Sequence, residues 1–261
     1  MHYLFPGHPA EIPRLDLQHW ALREVLGRNL FADVHDPATV LDVGCGTGQW
    51  PSEIDEQFPG ATVIGIDLNA PRPSRSPTLT FLRANMLRGL PFADGTFDVV
   101  HERLLVTAVP VDRWMWFAEE LARVARPGGW VELVEPMMTF DDAGPALSRI
   151  SELMLRMAAR QGLDTASTVF RILDGYLHNA GLESVERHTF RVPMGRWGGW
   201  AGSLMLSDVR AAGQRICELA QAHLGLPAEE GRALVEAALV ECDQNRIGWT
   251  FAAAVGRKPP R

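Results

Sequence analysis

The order of apolar and polar positions divides the chain into alternating strand-like and helix-like blocks. Short apolar runs rich in β-branched residues predict a first strand ending at Val43 and further strands at residues 61–66, 79–83, 97–101 and 126–136. Apolar residues at helical spacing predict helices at residues 14–31, 49–58 and 111–124. This alternation of strands and helices indicates a doubly wound parallel sheet.

The pattern changes beyond Pro136. Helical spacing resumes at Leu147 and at residues 168–180, 194–224 and 229–242, while residues 183–192 and 246–255 predict strands. Two final strands with a long helical insert between them predict an edge hairpin whose connection has grown into a cap. The expected fold is therefore α/β, with a mostly parallel seven-stranded sheet, an antiparallel final strand and a helical cap insertion.

We accordingly divide the chain into three parts. Residues 1–36 are predicted to form an N-terminal arm and helix that cover a ligand site, with the arm at residues 3–7. Residues 37–140 form the predicted binding core. Residues 141–261 supply the remaining core strands, with cap insertions at about 141–165 and 194–245.

A glycine-rich turn directly follows the first predicted strand. Residues 40–50 read V-L-D-V-G-C-G-T-G-Q-W, with Gly44, Gly46 and Gly48 at every second position. The spacing differs from the dinucleotide pattern G-x-G-x-x-G, because Gln49 stands at the place of its third glycine. Glycine permits positive φ and close approach, so we expect the turn to present free backbone N–H groups and a helix N-terminus to a ligand. A glycine turn that serves only packing is the alternative.

Polar residues end the neighbouring strands. Asp67 follows the second predicted strand, where a carboxylate can accept both hydroxyls of a ribose, or alternatively cap a turn with Asn69. His101, Glu102 and Arg103 end the fourth predicted strand. Because parallel strands end at one edge of a sheet, we expect all of these side chains beside the glycine turn.

Composition and charge narrow the partners. The 261 residues carry a formal net charge of -7, so no overall basic field would attract nucleic acid or an anionic membrane. No apolar run has the length of a membrane helix, and the first residues lack a signal-peptide layout, so we expect a cytoplasmic protein. The three cysteines are widely separated and fit a reducing compartment. Asp141 and Asp142 lack a third ligand, so no metal is expected.

Taken together, four segments resemble the class I S-adenosylmethionine-dependent methyltransferases. They are V-L-D-V-G-C-G-T-G, I-G-I-D, L-P-F-A-D-G-T-F-D-V-V and A-R-P-G-G-W-V-E, which fall within residues 39–136. The pieces Y-L-F-P, R-L-D-L-Q-H, V-H-E-R and G-G-W-V-E-L-V-E further resemble the LaeA-like branch of secondary metabolism. The resemblance implies a Rossmann-like fold, S-adenosyl-L-methionine as cofactor, and methyl transfer to an O, N or C nucleophile of a small molecule.

The resemblance also implies a cofactor site at the carboxyl edge of the sheet. The glycine backbone would approach the methionine and ribose, Asp67 would bind the ribose hydroxyls, and Leu68 would lie against the adenine. Asn85 stands where the family usually has an acidic residue, and its carbonyl can still accept the adenine amino group. Gln18 or His19 would close over the site. The implied cofactor-binding residues are Asp42, Gly44, Gly46, Gly48, Asp67, Leu68, Asn85, Met86 and His101.

Catalytic and substrate residues follow from position. His101 and Glu102 are candidate general bases; alternatively His101 bonds the cofactor or backbone and Glu102 pairs with Arg103. In the cap, large apolar side chains at helical spacing predict either a pocket roof or cap core. The expected substrate is a mid-sized, partly aromatic or polyketide-like molecule. The predicted roof includes Met194 and Leu204, and the predicted substrate-binding residues are Trp197, Trp200 and Met205.

Two other functions stay open at the level of the sequence. The chain could be a regulatory or interaction protein that keeps the cofactor fold, as the LaeA-like resemblance allows. It could also retain the cofactor while catalysing a step other than methyl transfer. The sequence leaves open whether the protein is a monomer or a homodimer.

Overall fold

One mixed sheet of seven strands organises the protein. The computed structural model describes residues 11–69 and 74–260, so the predicted arm at residues 3–7 lies outside the described residues. The strands are β1 (Thr39–Val43), β2 (Thr62–Asp67), β3 (Leu79–Arg83), β4 (Phe97–Arg103), β5 (Ala125–Pro136), β6 (Glu183–Pro193) and β7 (Gly248–Arg257).

The strand order across the sheet is β3-β2-β1-β4-β5-β7-β6. Strands β1 to β5 pair in parallel, and β7 runs antiparallel to both of its neighbours, β5 and β6. The predicted doubly wound, mostly parallel seven-stranded sheet with an antiparallel final strand is confirmed. The order reverses between β1 and β4, which is the place where ligands bind in open α/β sheets.

Eight α-helices accompany the sheet in the described ranges. They are α1 (Glu11–Leu26), α2 (Gln49–Gln57), α3 (Trp114–Val124), α4 (Pro145–Ala159), α5 (Thr168–Arg171), α6 (Leu173–Asn179), α7 (Gly199–Leu224) and α8 (Ala228–Gln244). None of these helices is both long and apolar enough to cross a membrane. Helix α1 ends earlier than predicted because Gly27, at φ 63°, terminates it in the left-handed conformation.

Apolar packing covers both faces of the sheet. On one face, Leu133 of β5 belongs to a cluster with Phe117 and Leu121 of α3. On the other face, its neighbour Val134 belongs to a cluster with Leu147 of α4 and with α1, α7 and α8. Successive apolar residues in β5 follow from this two-sided burial. Helices α4, α7 and α8 together are called the cap below.

Strand β4 is two residues longer than the sequence predicts. His101 pairs with Glu132 of β5 in the register, and Arg103 still pairs with Val134. His101 therefore lies inside the sheet, and residues 104–107 form its carboxyl edge.

Candidate functional site

The glycine turn after β1 is shaped by left-handed backbone. Gly44, Gly46 and Gly48 have φ values of 75°, 54° and 84°, which favour glycine. A Cβ atom on Gly46 would lie 3.3 Å from the Leu15 side chain of α1, so the turn passes close beneath this helix. The positive φ values that the sequence predicted at these glycines are present.

The prediction of free backbone N–H groups in this turn is wrong for four of its residues. The N–H groups of Gly44 and Cys45 donate to the Ile66 carbonyl of β2, at 2.8 and 3.0 Å. Gly46 N–H donates to a side chain of β2, and Gly48 N–H donates to Cys45 O at 2.9 Å. These four N–H groups are therefore used within the protein and are not free to bind a ligand.

Asp67 at the end of β2 holds the turn in place. Its Oδ2 accepts the Gly46 N–H at 3.0 Å, and its Oδ1 accepts the Asn69 N–H at 2.8 Å. Burial raises the pKa of this carboxyl, and the backbone N–H donors oppose the shift. The Asn69 bond is the turn-capping interaction that the sequence offered as an alternative, and the same carboxylate lies beside the glycine turn.

The predicted adenine-facing residues lie next to Asp67. Strand β3 is joined to this corner by Ala84 N–H donating to Asp67 O at 2.9 Å and by Arg83 Nε donating to Leu68 O at 2.9 Å. Asn85 and Met86 follow directly and are half-buried. The Asn85 carbonyl accepts the N–H of Leu87 at 3.1 Å and keeps a second lone pair for another donor.

His101 and Asp42 form a buried pair away from the sheet edge. His101 Nδ1 and Asp42 Oδ1 are 2.8 Å apart, and the His101 residue is only 2 % exposed. The Trp50 ring of α2 stacks on the His101 ring, with centroids 3.7 Å apart and planes within 5°. The two extra residues of β4 explain this position. His101 does not line the apolar cavity described below, and its expected roles as a base and as a cofactor ligand stay predictions.

Glu102 is equally inaccessible, on the opposite face. Its residue is fully buried, and neither carboxyl oxygen has a hydrogen-bond partner in the described part of the chain. Glu135 of β5 accepts the N–H groups of Leu105 and Val106. Burial raises the pKa of Glu135 to about 7, and burial together with the Glu135 charge raises the pKa of Glu102. Glu135 thus supports the segment after β4, and neither glutamate lines the apolar cavity described below.

Helix α1 covers the glycine turn. Asp16 Oδ1 accepts the Thr47 hydroxyl at 2.6 Å, beside the Leu15 contact with Gly46. His19 is buried against Arg103, whose Nη2 lies 3.0 Å from His19 Nδ1. Burial, followed by the Arg103 charge, lowers the pKa of His19 to about 3, so this histidine is neutral.

An apolar cavity lies between α1, the carboxyl edge of the sheet and the cap. Its lining includes Leu15 of α1, Val106 after β4, Met138 after β5, Ile150 of α4 and Val209 of α7. Leu15 also touches the glycine turn, so turn and cavity are neighbours. Such a mostly apolar cleft with a few polar groups is typical of small-molecule sites.

The polar end of the cavity joins α1 to α7. Arg14 Nη1 donates to Asp208 Oδ1 at 3.1 Å, and Gln18 Nε2 donates to Asp208 Oδ2 at 3.3 Å. All three residues are buried and line the cavity. Of the two residues predicted to close over the site, Gln18 faces the cavity and His19 does not.

The three predicted substrate-binding residues lie elsewhere. Trp200 is 54 % exposed, Met205 is buried in the apolar cluster of the cap, and Trp197 donates its indole N–H to Cys242 O at 3.1 Å. None of them lines the cavity, whereas Met194 from the same predicted roof does. Large apolar residues at helical spacing here mark the packing of the cap.

The cavity-facing stripe of α7 is made of smaller residues that sequence reasoning missed. Val209, Ala212, Gly213 and Ile216 follow the i, i+3, i+4, i+7 spacing of one helix face. This spacing is the sequence signal that identifies the stripe.

The two adjacent aspartates after β5 are engaged in other contacts. Asp141 accepts the Thr250 hydroxyl, and Asp142 lies 3.3 Å from Arg191. Within residues 11–69 and 74–260, no group of three or more histidine, cysteine or acidic side chains is arranged to hold a metal.

Comparisons with known proteins relate the same part of the chain to methyltransferases. The family described as "Methyltransferase domain" matches residues 40–129, which contain the glycine turn and Asp67. "Methyltransferase str2" of Strobilurus tenacellus is 29 % identical over 168 residues, which cover 61 % of this chain and 60 % of that protein. "Secondary metabolism regulator laeA" of Coprinopsis cinerea is 34 % identical over 143 residues, covering 51 % and 35 %. The chain thus spans less than two thirds of the length of these relatives.

A solved structure shares the fold. Phosphoethanolamine N-methyltransferase 2 of Haemonchus contortus, in complex with S-adenosyl-L-methionine, has a TM-score of 0.52 and 13 % sequence identity. The likeness covers 94 % of this chain and 57 % of that one.

Proposed function

We propose that the chain is a class I S-adenosylmethionine-dependent methyltransferase and that it methylates a small molecule of secondary metabolism at an O, N or C atom. One observation carries the proposal. The glycine turn and Asp67 stand beside an apolar cavity: Leu15 of the covering helix lines the cavity and lies 3.3 Å from the position that a Cβ atom on Gly46 would occupy.

S-adenosyl-L-methionine fits the residues at the carboxyl edge. In this proposal the Asp67 carboxylate accepts the ribose hydroxyls, and half-buried Leu68 and Met86 offer apolar surface to the adenine. Asn85 offers its carbonyl to the adenine amino group, and the smooth turn allows the rest of the cofactor to lie close. When bound, the cofactor supplies a methyl group already activated by a positively charged sulfur.

The chain's own contribution is alignment and exclusion of water. Helix α1 and the cap enclose the cavity next to the turn. Holding two reactants in the reactive orientation lowers the activation free energy by up to about 7–11 kcal/mol in well-oriented systems. His101 and Glu102 do not line the cavity, so we propose that both act as supports for the site rather than as bases. The acceptor then loses its proton to solvent or is a group that ionises easily.

A cofactor-binding measurement tests the proposal first. Titration calorimetry with S-adenosylhomocysteine should show binding to the native protein, and Asp67→Ala should weaken it by ten- to a hundredfold, because a hydrogen bond to a charged group contributes about 1.5–3 kcal/mol. Asp67→Asn, which retains an acceptor, should lose less. Native protein that fails to bind would overturn the proposal. Transfer of labelled methyl to a panel of phenols, enols and amines then identifies the acceptor.

A second candidate function is supported by the likeness to the regulator laeA. In that case the chain acts through a protein partner while keeping the cofactor site. Capture of a stable partner that is unaffected by Asp67→Ala, together with no labelled product, would favour this function over methyl transfer to a small molecule.

A further inference from the structure

Thr107 differs from the other polar side chains that line the apolar cavity. It follows β4 by four residues, lines the cavity and is half-buried. Within residues 11–69 and 74–260, the Thr107 hydroxyl makes no hydrogen bond to the protein. A hydroxyl can donate one hydrogen bond and accept others. Thr107 therefore has both a donor and an acceptor available for a ligand in the cavity.

The other polar side chains of the lining are hydrogen-bonded within the protein. The Ser151 hydroxyl donates to the Leu147 carbonyl of its own helix at 2.9 Å, and the Trp249 indole N–H donates to the Met137 carbonyl at 2.7 Å. At the polar end of the cavity, three side chains are joined by hydrogen bonds: Arg14, Gln18 and Asp208. A ligand thus meets at Thr107 a hydroxyl that can bind it without giving up an existing bond.

The backbone before Thr107 is fixed against the glycine turn and β5. A Cβ atom on Gly44 would lie 2.5 Å from the Leu105 side chain, so Leu105 packs directly on the turn. Glu135 of β5 accepts the N–H groups of Leu105 and Val106. Cα atoms two positions apart are separated by at most about 7 Å. Thr107 therefore lies close to the glycine turn and at the same time in the wall of the cavity.

Apolar side chains make up most of that wall. They include Ile150 and Met154 of α4 and Val209 of α7. An oxygen atom that enters such surroundings loses its hydrogen bonds to water, and this loss opposes binding unless a protein group replaces them. A hydroxyl in the wall replaces one of these bonds, so it distinguishes a ligand with an oxygen at this point from a ligand without one.

We propose that Thr107 is a specificity-determining residue, whose hydroxyl hydrogen-bonds an oxygen atom of an otherwise apolar acceptor beside the glycine turn. The inference rests on the proposed function, because it names the substrate class of the same cavity. That class is ring or chain molecules with a hydroxyl or carbonyl oxygen at the end nearest the cofactor. Thr107 orients this end of the acceptor, and the apolar wall binds the remainder.

Two probes of almost equal shape test this role. 2-Naphthol and 2-methylnaphthalene differ by a hydroxyl against a methyl group, and equilibrium dialysis measures the affinity of the protein for each, with and without saturating S-adenosylhomocysteine. The measured quantity is the affinity for 2-naphthol divided by the affinity for 2-methylnaphthalene. Thr107→Val replaces the hydroxyl by a methyl group of similar size and should lower this ratio by about three- to tenfold, which is the effect of one neutral hydrogen bond.

Matched variants show whether the hydroxyl itself is responsible. Thr107→Ser keeps the hydroxyl and should hold the ratio within about twofold of native. Ser151→Ala removes a cavity hydroxyl that is already bonded to Leu147, so it should change the affinity for both probes equally. If Thr107→Val does not fold, Thr107→Ala removes the same hydroxyl and should lower the ratio likewise.

The outcomes separate this inference from the proposed function. An unchanged ratio in a folded variant without the Thr107 hydroxyl overturns the inference, and so does an equal fall in Thr107→Ser or in Ser151→Ala. Native protein that binds neither probe also overturns it. Failure of the native protein to bind S-adenosylhomocysteine would instead contradict the cofactor site, and the probe ratio measured without that compound would still decide the role of Thr107.

Discussion

Replacing His101 distinguishes a structural support from a catalytic base. His101 Nδ1 lies 2.8 Å from Asp42 Oδ1, to which it donates when Asp42 is a carboxylate, and the His101 ring stacks on Trp50 with centroids 3.7 Å apart. Two substitutions separate these contacts. His101→Asn keeps a nitrogen donor near the Nδ1 position and loses the ring, whereas His101→Phe keeps a ring and loses the donor.

The structure sets the expected order of the two effects. His101→Phe leaves the buried Asp42 carboxylate without its partner, which costs about 3 kcal/mol, because an unsatisfied charged group lies at the upper end of the range. His101→Asn loses ring stacking and some packing, worth about 1–2 kcal/mol. The phenylalanine variant should therefore be the less stable one, although phenylalanine is the better ring mimic.

Urea unfolding followed by far-ultraviolet circular dichroism measures both values, and turnover of the identified acceptor is measured under conditions where each variant is folded. We expect His101→Asn to keep turnover within a few-fold of native. A loss of a hundredfold or more in both variants, with unchanged unfolding free energies, would refute the reasoning, because that is the effect of removing a general base.

Three further outcomes follow from the same contacts. Burial raises the pKa of both Glu102 and Glu135 above the unfolded value, so the stabilisation from their protonated forms is complete below about pH 4.5. It is lost as the pH rises through the raised pKa of each group, which for Glu135 is about 7. Glu102→Gln should flatten this fall in unfolding free energy, and an unchanged slope would contradict it. Gly44→Ala forces a side chain to φ 75° and should cost about 1–2 kcal/mol and weaken S-adenosylhomocysteine binding; unaltered stability and affinity would show that the turn relaxes freely. Thr47→Val removes the bond to Asp16 and should speed amide hydrogen exchange in α1, whereas unchanged exchange would mean that the bond does not hold the helix.

The central strands β1 and β4 were predictable from the sequence because they are buried on both faces, whereas the edge strands β3 and β6 are largely exposed or half-buried. Each apolar run is short and dense in β-branched residues, and Gly44 to Gly48 mark where β1 ends. The boundary of β4 was wrong for a physical reason. His101 and Glu102 look like edge residues in sequence, but buried neighbours, Asp42 on one face and Glu135 on the other, accompany them inside the sheet. Such pairing between distant residues has no local signal.

The substrate side of the site was less predictable. Arg14 and Asp208 are separated by 194 positions, so no local sequence pattern predicts their ion pair. The cavity-facing stripe from Val209 to Ile216 has the spacing of an ordinary buried helix face. Only the packing of α1 along α7 distinguishes a cavity wall from a closed core.

The cap also has a consequence for how such chains diversify. Residues 194–247 leave the sheet after Pro193 and return at Gly248, and these two residues are paired in the β6–β7 register. The whole segment can therefore be exchanged for another without stretching either strand, and the methyl-donor half stays untouched. An incoming segment without a carboxylate at position 208 would lose the ion pair that joins α7 to Arg14 of α1. The contact between α1 and α7 thus couples two segments that lie far apart in the chain, so a change in one is expected to require a change in the other.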